Sequence, residues 1–226
     1  MSAEPAPPDL RHVTTWLFDL DNTLYPAESG LLARMSPLIT GYVARLTGLA
    51  EAEAFALQKR YLAEHGLTLT GLMRHHGVDP DDYHAMFHDV PLDILEPDSA
   101  LRRALARLPG RRLVFTNADD VHARRVLEKL ELADLFEAVF HIASADYRAK
   151  PDPDGLAAMV RGHAVVPRET CFFEDSAGNL APAAALGMTT VLVGEEEGAC
   201  APAFVGYRAR RLAPFLQGAL IREDGR

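Results

Sequence analysis

Cysteine, basic charge and long apolar runs are all scarce in this sequence. There are 2 cysteines among 226 residues, too few for a disulfide framework, which favours a reducing setting. Lys and Arg number 23 against 32 Asp and Glu, for a formal charge of −9, and this argues against nucleic acid or an anionic membrane as a partner. No apolar stretch reaches the roughly 18 residues of a membrane-spanning helix, and no secretory signal is present. We therefore expect a soluble, cytoplasmic protein.

What the chain does contain is an alternation of short apolar runs with helical patterns. The runs are rich in β-branched and aromatic residues, as buried strands are. The alternation predicts an α/β fold: a doubly wound, mainly parallel, Rossmann-like sheet with helices on both faces. The predicted strands are Val13–Phe18, Arg112–Thr116, Val139–Ile142, Thr170–Phe173 and Thr189–Val193, and the predicted helices are Asp120–Leu130, Asp154–Gly162, Asn179–Leu186 and Ala209–Leu220, the last bent near Pro214.

One long stretch departs from this alternation. From about residue 28 to residue 93 the apolar residues follow helical spacing without a convincing strand. Asp79-Pro80 marks one helix start, because proline suits the first turn. The pattern predicts a helical insert over residues 28–93, placed after the first strand of a core made of residues 10–27 and 94–226. Residues 1–9 are short, acidic and proline-rich, and we expect a disordered tail there.

The sharpest chemical signal is a set of acids at two predicted strand ends. Asp19 and Asp21 directly follow the first strand. Glu174 and Asp175 follow the run that ends at Phe173. Ligands of open α/β sheets bind at the carboxyl ends of strands, and four acids there suit a hard cation such as Mg²⁺. A strand-end turn with solvated acids is the alternative for Asp19 and Asp21 taken alone.

Two further strand ends carry polar residues of other kinds. Thr116 and Asn117 supply a hydroxyl and an amide, and Lys150 lies in a loop before Pro151. A lysine there would balance the acids or the anionic oxygens of a ligand. Taken alone, a helix cap explains Thr116-Asn117 and a surface position explains Lys150. Their common location is the reason to treat them as part of one site.

In this order, the four motifs resemble those of the haloacid dehalogenase (HAD) superfamily, and of its phosphatases in particular. The motifs are FDLDNTL, FTN, AKPDP and FFEDSAGN. The resemblance implies that Asp19 is a nucleophile that forms an aspartyl-phosphate and that Asp21 is the general acid and base. It also implies that the phosphoryl group is bound by Thr116, the Asn117 backbone and Lys150. Mg²⁺ would be held by Asp175 together with Asp19 and the carbonyl of Asp21. Glu174 and Asn179 would support these residues.

Outside these motifs the chain is similar to the pyrimidine 5′-nucleotidases of the same superfamily. The similarity includes Tyr61, Gly66-Leu67 and His76, and continues through FTNADDVHARRVLEKLELADLF. It implies hydrolysis of a nucleoside monophosphate such as UMP or CMP, under a helical cap that excludes water and selects the substrate. The candidate cap contacts are Tyr61, Arg74, His75 and His76, and the predicted hinges are Pro26, Glu28–Gly30 and Leu95–Asp98.

Other functions compete with this interpretation. One alternative is the same chemistry on a sugar phosphate, phosphoglycolate or an NMN-like nucleotide. Dehalogenation is disfavoured by Asp21, since a departing halide needs no proton. A binding protein of the HAD fold without turnover is disfavoured because the nucleophile and the lysine are both present. Ala149 stands where the family usually has proline, and the sequence leaves the oligomeric state open.

Overall fold

The computed structural model describes residues 6–194 and 202–222. Its strands are β1 Thr15–Phe18, β2 Arg111–Phe115, β3 Ala138–Phe140, β4 Thr170–Glu174, β5 Thr189–Val193 and β6 Tyr207–Ala209. Within the described residues they form one parallel sheet in the order β3-β2-β1-β4-β5-β6. This confirms the predicted α/β class, and the apolar character of the strands follows from burial on both faces.

The helices are distributed between the two faces of the sheet and one long insertion. They are α1 Leu31–Thr47, α2 Glu51–His65, α3 Thr68–His76, α4 Pro80–Ala85, α5 Ser99–Ala106, α6 Asp120–Lys129, α7 Pro153–Gly162, α8 Ala177–Ala185 and α9 Leu212–Gly218. None of these described helices combines the length and the apolar character needed to cross a bilayer.

β1 lies in the middle of the sheet and is buried along its whole length. Its neighbours are β2 on one side and β4 on the other, in a register that sets Phe18 beside Val114 and Phe173. The Trp16 ring stacks on Phe173 with centroids 6.4 Å apart, and its Nε1 donates to the Pro109 carbonyl at 2.7 Å. The chain order reverses between β1 and β4, so the end of β1 opens on the crevice where such sheets bind ligands.

The segment between β1 and α5 is helical. All of its residues from 28 to 93 are described, and they form α1 to α4 and no strand; we call α1 to α4 the helical insert. Asp79 caps α4 as the sequence predicted, accepting the Asp81 N–H at 2.9 Å with Pro80 in the first turn. Gly71 allows α3 to pack on α2, because a Cβ there would lie 2.4 Å from Cγ of Tyr61.

The turn between α2 and α3 reaches the sheet edge. Gly66 has a left-handed backbone with φ of 75°, a conformation that glycine adopts without strain. A Cβ at this position would lie 3.1 Å from the carbonyl oxygen of Lys150 and 3.3 Å from Cδ of Pro151. The helical insert therefore packs directly against the loop that carries Lys150.

Two elements differ from the predicted ones. The stretch Ala209–Leu220 is not one bent helix: β6 ends at Ala209, and α9 follows with Pro214 in its first turn, where the missing N–H has no partner to lose. The helix α5 was not predicted, although Asp98, placed in a predicted hinge, accepts the N–H of Ala100 at 2.7 Å and begins it.

The predicted disordered tail needs a correction at its inner end. Asp9 forms a β-bridge with Leu220, and the Pro8 carbonyl accepts the Leu220 N–H at 2.8 Å. These backbone hydrogen bonds attach residues 8–10 to Leu220, just beyond α9. Residues 1–5 of that tail, like Cys200, lie outside the described residues.

Candidate active site

The carboxyl ends of β1, β2 and β4 open on one cavity. It has a volume of about 1340 Å³ and lies between the sheet edge and the helical insert. Every site residue that the four motifs predict is part of its wall: Asp19, Asp21, Thr116, Asn117, Lys150, Glu174, Asp175 and Asn179.

Lys150 is the centre of one side of this cavity. Its side chain is 3% exposed, and its Nζ donates to Oδ1 of Asp19 at 2.5 Å, to Oε2 of Glu174 at 2.7 Å and to the Phe115 carbonyl at 2.9 Å. Burial acts to lower the pKa of Lys150, but the charges of Asp19 and Glu174 outweigh it and raise that pKa above its usual value. The ammonium group therefore stays charged. We call Asp19, Lys150, Glu174 and Asp175 the lysine side.

The three acids of the lysine side are crowded. Asp19, Glu174 and Asp175 each have an oxygen within 4.8 Å of the other two. Burial and the Glu174 charge raise the pKa of Asp19 to about 7, although Lys150 opposes them. Burial also raises the pKa of Glu174 to about 7. When all three carboxyl groups are ionised, the single ammonium leaves two negative charges uncompensated, so the donor set fits a divalent, oxygen-preferring cation such as Mg²⁺.

Short polar contacts orient two of these acids. The Asn22 amide donates to Oδ2 of Asp175 at 3.1 Å, and the N–H of Ser176 donates to Oε1 of Glu174 at 3.1 Å. Asn22 has a left-handed φ of 63°, which asparagine tolerates better than most residues. Sequence reasoning missed this contact of Asn22, although the residue is part of the motif that contains Asp19 and Asp21.

Asn117 and Thr116 fix the neighbouring backbone. The Asn117 side chain accepts the N–H of Lys150 at 2.8 Å and donates to the Lys150 carbonyl at 3.3 Å, so it holds the backbone that carries the lysine. Thr116 is buried, and its hydroxyl oxygen accepts the Ala118 N–H at 3.0 Å. Asn179 lies on α8, where its backbone N–H donates to the Ser176 carbonyl at 3.1 Å.

Asp21 has a different set of neighbours. Its Oδ1 accepts the Tyr25 hydroxyl at 2.6 Å and Nε2 of His122 at 2.9 Å. Burial acts to raise the pKa of Asp21, but His122 and Tyr25 outweigh it and lower that pKa below its usual value. Its carboxylate is not one of the three acids that meet on the lysine side. We call Asp21, Tyr25 and His122 the histidine side.

Sequence reasoning did not single out Tyr25 or His122. His122 lies in the first turn of α6, where its N–H donates to Asp119 at 3.0 Å. Because α6 follows β2, its first turn begins at the same sheet edge as the predicted strand ends. That position, rather than any motif, is the signal that points to His122.

The helical insert contributes one of its predicted contacts to the cavity, together with residues that were not predicted. Of the four candidate cap contacts, Arg74 is in the cavity wall, together with Glu64, His65 and Thr70. Tyr61 instead packs within the insert, with its ring stacked on His75 at 5.2 Å and its hydroxyl 3.0 Å from Nε2 of His76.

A second, smaller cavity adjoins the histidine side. It has a volume of about 250 Å³ and lies between the core and helices α1, α2 and α4. Asp21 and His122 line it from the core, and its remaining wall is mostly apolar. The ring-bearing and aliphatic side chains of that wall include Met35, Ile39, Tyr83 and Phe87.

The family model of the haloacid dehalogenase-like hydrolases matches residues 13–187. A relative, phosphate metabolism protein 8 of Saccharomyces cerevisiae, is 29% identical over 204 residues. That match covers 83% of this chain and 63% of the yeast protein, so the chain spans less than two thirds of the relative's length.

Several solved structures have a similar fold. A HAD phosphatase from Thermococcus onnurineus is 22% identical with a TM-score of 0.59, covering 92% of this chain and 99% of that one. L-2-haloacid dehalogenase from Xanthobacter autotrophicus is 18% identical with a TM-score of 0.57, and the match covers 91% of this chain and 97% of that one. A HAD-hydrolase from Bacillus subtilis, bound to magnesium, is 14% identical with a TM-score of 0.60, and the match covers 91% of this chain and 97% of that one.

Proposed function

The chain belongs to the haloacid dehalogenase-like hydrolases, and from that premise we propose that it is a Mg²⁺-dependent phosphomonoesterase. The observation that carries the proposal is the presence of Asp21 in the same cavity as Asp19. A hydrolase that displaces halide needs one carboxylate, because halide leaves without a proton. An alkoxide leaving group needs a proton donor as well, and Asp21 is the carboxyl group available for that task.

The reaction has two steps. In the first, an Asp19 oxygen attacks phosphorus, the bond from phosphorus to the ester oxygen breaks, and Asp21 gives its proton to that oxygen. In the second, water attacks the phosphorus of the aspartyl-phosphate, Asp21 accepts a proton from the water, and phosphate leaves with Asp19 restored. Thr116, Asn117 and Lys150 bind the phosphoryl oxygens.

The cation belongs to the lysine side. The carboxylates of Asp19 and Asp175, with the carbonyl of Asp21, would hold it, and Glu174 and Asn179 would support that arrangement. When bound, Mg²⁺ neutralises the nucleophile and the phosphoryl oxygens as they approach each other. The crowding of the acids, with two uncompensated charges, supports this assignment.

A pyrimidine nucleoside monophosphate is the substrate that we propose. The small cavity supports this choice, because it adjoins Asp21, the residue nearest the departing group, and has the rings of Tyr83 and Phe87 in its wall. A sugar phosphate, phosphoglycolate or NMN-like substrate is the alternative with the same chemistry.

We propose that residues 28–93 act as a cap over this site. The contact of Gly66 with the Lys150 loop supports this role, as does the place of Arg74 in the large cavity. A cap would exclude water from the aspartyl-phosphate until the leaving group has departed. The hinges would fall around Pro26 to Gly30 and at Leu95–Asp98.

The setting that we propose is the cytoplasm. Cys171 is buried on β4 as a free thiol, and burial raises its pKa well above the usual value, so it is an unreactive core residue. The substrate would be a small metabolite, and the charge of −9 gives no support for a nucleic acid or membrane partner.

A phosphate-release screen tests the function. The protein is assayed with Mg²⁺ on UMP, CMP, AMP, GMP, ribose 5-phosphate, phosphoglycolate and p-nitrophenyl phosphate. We expect the highest kcat/KM for UMP and CMP, and a loss of kcat as well as affinity for ribose 5-phosphate, because base contacts help to close the cap.

The outcomes of the screen separate the two parts of the proposal. Equal turnover of purine and pyrimidine nucleotides, or preference for a sugar phosphate, would overturn the substrate and leave the chemistry. Release of no phosphate from any ester, by a folded protein with Mg²⁺, would overturn the chemistry itself.

A further inference from the structure

We propose that His122 and Tyr25 are positioning residues that fix which oxygen of Asp21 transfers the proton. The inference rests on the proposed phosphomonoesterase chemistry, and it concerns how Asp21 is held for its step. It follows from a particular feature of the histidine side. Two donors from different elements bind the same carboxylate oxygen, Oδ1, and not one oxygen each.

The double contact leaves the two oxygens of Asp21 unequal. A carboxylate oxygen offers two lone pairs, and both on Oδ1 have a donor, the Tyr25 hydroxyl at 2.6 Å and His122 Nε2 at 2.9 Å. A proton on Oδ1 would displace one of them. The transferable proton therefore belongs on Oδ2, and rotation of the carboxyl group would break two hydrogen bonds at once.

Among the described residues, Asp21 is the hydrogen-bond partner of the His122 ring. His122 is 2% exposed, and its Nδ1 is buried without a hydrogen-bond partner among the described residues. Since the carboxylate of Asp21 accepts, Nε2 carries a proton, and Nδ1 has no partner to compensate its burial. A buried polar atom without a partner loses its hydration and gains no hydrogen bond in return, so an apolar ring would pack better here. The single bond to Asp21 is the benefit that offsets this cost.

The two donors approach from directions that the fold fixes separately. Tyr25 is 3% exposed and lies in the turn after β1, four residues beyond Asp21. His122 comes from the first turn of α6, where its backbone is held by Asp119. The orientation of Asp21 is thus determined by two elements of the core, and the helical insert is not needed for it.

The test compares two esters that differ in their need for a proton. The alkyl ester is the one ranked first in the screen above, and its leaving oxygen must be protonated. The aryl ester is p-nitrophenyl phosphate, whose leaving group departs as a stable anion. Because kcat/KM reports the steps up to departure of the leaving group, it isolates the transfer made by Asp21.

Three variants change the donors. We expect His122→Phe to lower kcat/KM for the alkyl ester by about a hundredfold and for the aryl ester by less than about threefold. Tyr25→Phe, which removes only the hydroxyl, should show the same selective loss to a smaller degree. His122→Gln keeps an N–H donor and should restore most of the alkyl activity. The matched control is His141→Phe, which should leave both activities unchanged: its Nδ1 is likewise buried without a partner among the described residues, but the residue lines neither cavity.

The outcomes distinguish this inference from the proposed function. Equal losses on the two esters, or no rescue by His122→Gln, would show a structural role only and overturn the inference. If His122→Phe does not fold, Tyr25→Phe and His122→Gln decide by the same criterion. If the wild-type protein hydrolyses neither ester, the proposed function itself fails.

Discussion

The lysine side and the histidine side give two aspartates, two residues apart, opposite properties. Burial and Glu174 raise the pKa of Asp19 to about 7, whereas His122 and Tyr25 lower that of Asp21. The proposed chemistry needs the reverse order in its first step, with Asp19 ionised and Asp21 protonated. Binding of the cation must therefore lower the pKa of Asp19, and binding of the phosphate must raise the pKa of Asp21. The role of each aspartate is determined by the residues of other elements that contact its carboxyl group.

The comparison is tested most severely by neutralising each aspartate in turn. Asp19→Asn should lower turnover of alkyl and aryl esters alike by about 10⁴-fold or more, because an amide cannot attack phosphorus. Asp21→Asn should lower kcat/KM for alkyl esters by about 10²–10⁴-fold and spare p-nitrophenyl phosphate. Steady-state kinetics and melting curves on the same preparations measure both.

The matched control for these variants is Asp146→Asn. Asp146 is exposed in the wall of the large cavity, and asparagine tolerates its left-handed backbone, with φ of 50°. Near wild-type activity is expected of it. If Asp19→Asn and Asp21→Asn had the same effect on both esters, the two sides would not have distinct roles.

Removal of the cation should abolish the function of the lysine side. EDTA is expected to lower turnover by more than about a hundredfold and Mg²⁺ to restore it, while Ca²⁺ restores little because its larger, looser coordination misplaces Asp19. Phosphate release before and after exhaustive metal removal measures the effect. Full activity in excess EDTA would contradict the metal assignment.

Proton competition should make the stabilisation by Mg²⁺ depend on pH. Between the ordinary carboxyl range and about 7, the folded protein holds more protons on Asp19 and Glu174 than the unfolded chain does. The stability contributed by these groups without a cation therefore falls as pH rises through that window. Mg²⁺ binds only the ionised carboxylates, so we expect it to raise Tm by about 5 °C at about pH 8 and by less at about pH 6. An equal rise in Tm at both pH values would show that the cation binds elsewhere.

The smallest effect concerns the contact of the helical insert with the lysine side. Gly66→Ala should lower the free energy of unfolding by about 2 kcal/mol, because it adds a clash with Lys150 to the strain of a left-handed alanine. Gly77→Ala is the matched control: its φ is 63°, but its Cβ would meet nothing within 4 Å, so about 1 kcal/mol is expected. Urea unfolding measures both, and equal losses would mean that the insert does not press on the Lys150 loop.

The acids of the lysine side could be predicted from the sequence because they lie at strand ends. A parallel sheet brings all such ends to one edge, so an apolar run followed by Asp19 or by Glu174-Asp175 is enough to locate them. The fold class was predictable for the same reason, since the strands are buried on both faces and appear as unbroken apolar runs.

The two partners of Asp21 on the histidine side, Tyr25 and His122, could not be predicted in this way. His122 meets Asp21 only after the sheet has formed, and in the sequence it is one polar residue of an amphipathic helix. β6 was missed because a three-residue edge strand has too little apolar pattern to detect. Pro214 was predicted to bend a longer helix, but it lies in the first turn of α9, where proline is tolerated.

The central position of β1 has a consequence for how the protein is made. β1 is the first strand in the sequence, yet its neighbours are β2 and β4, so Thr15 pairs with Arg111 and with Thr170. During synthesis this apolar strand must wait for partners that emerge much later, which slows folding and exposes it to aggregation. Trp16, the single tryptophan of the chain, stacks on Phe173 of β4. Its fluorescence during refolding therefore reports the moment at which the late strand docks and the two acid-bearing strand ends first meet.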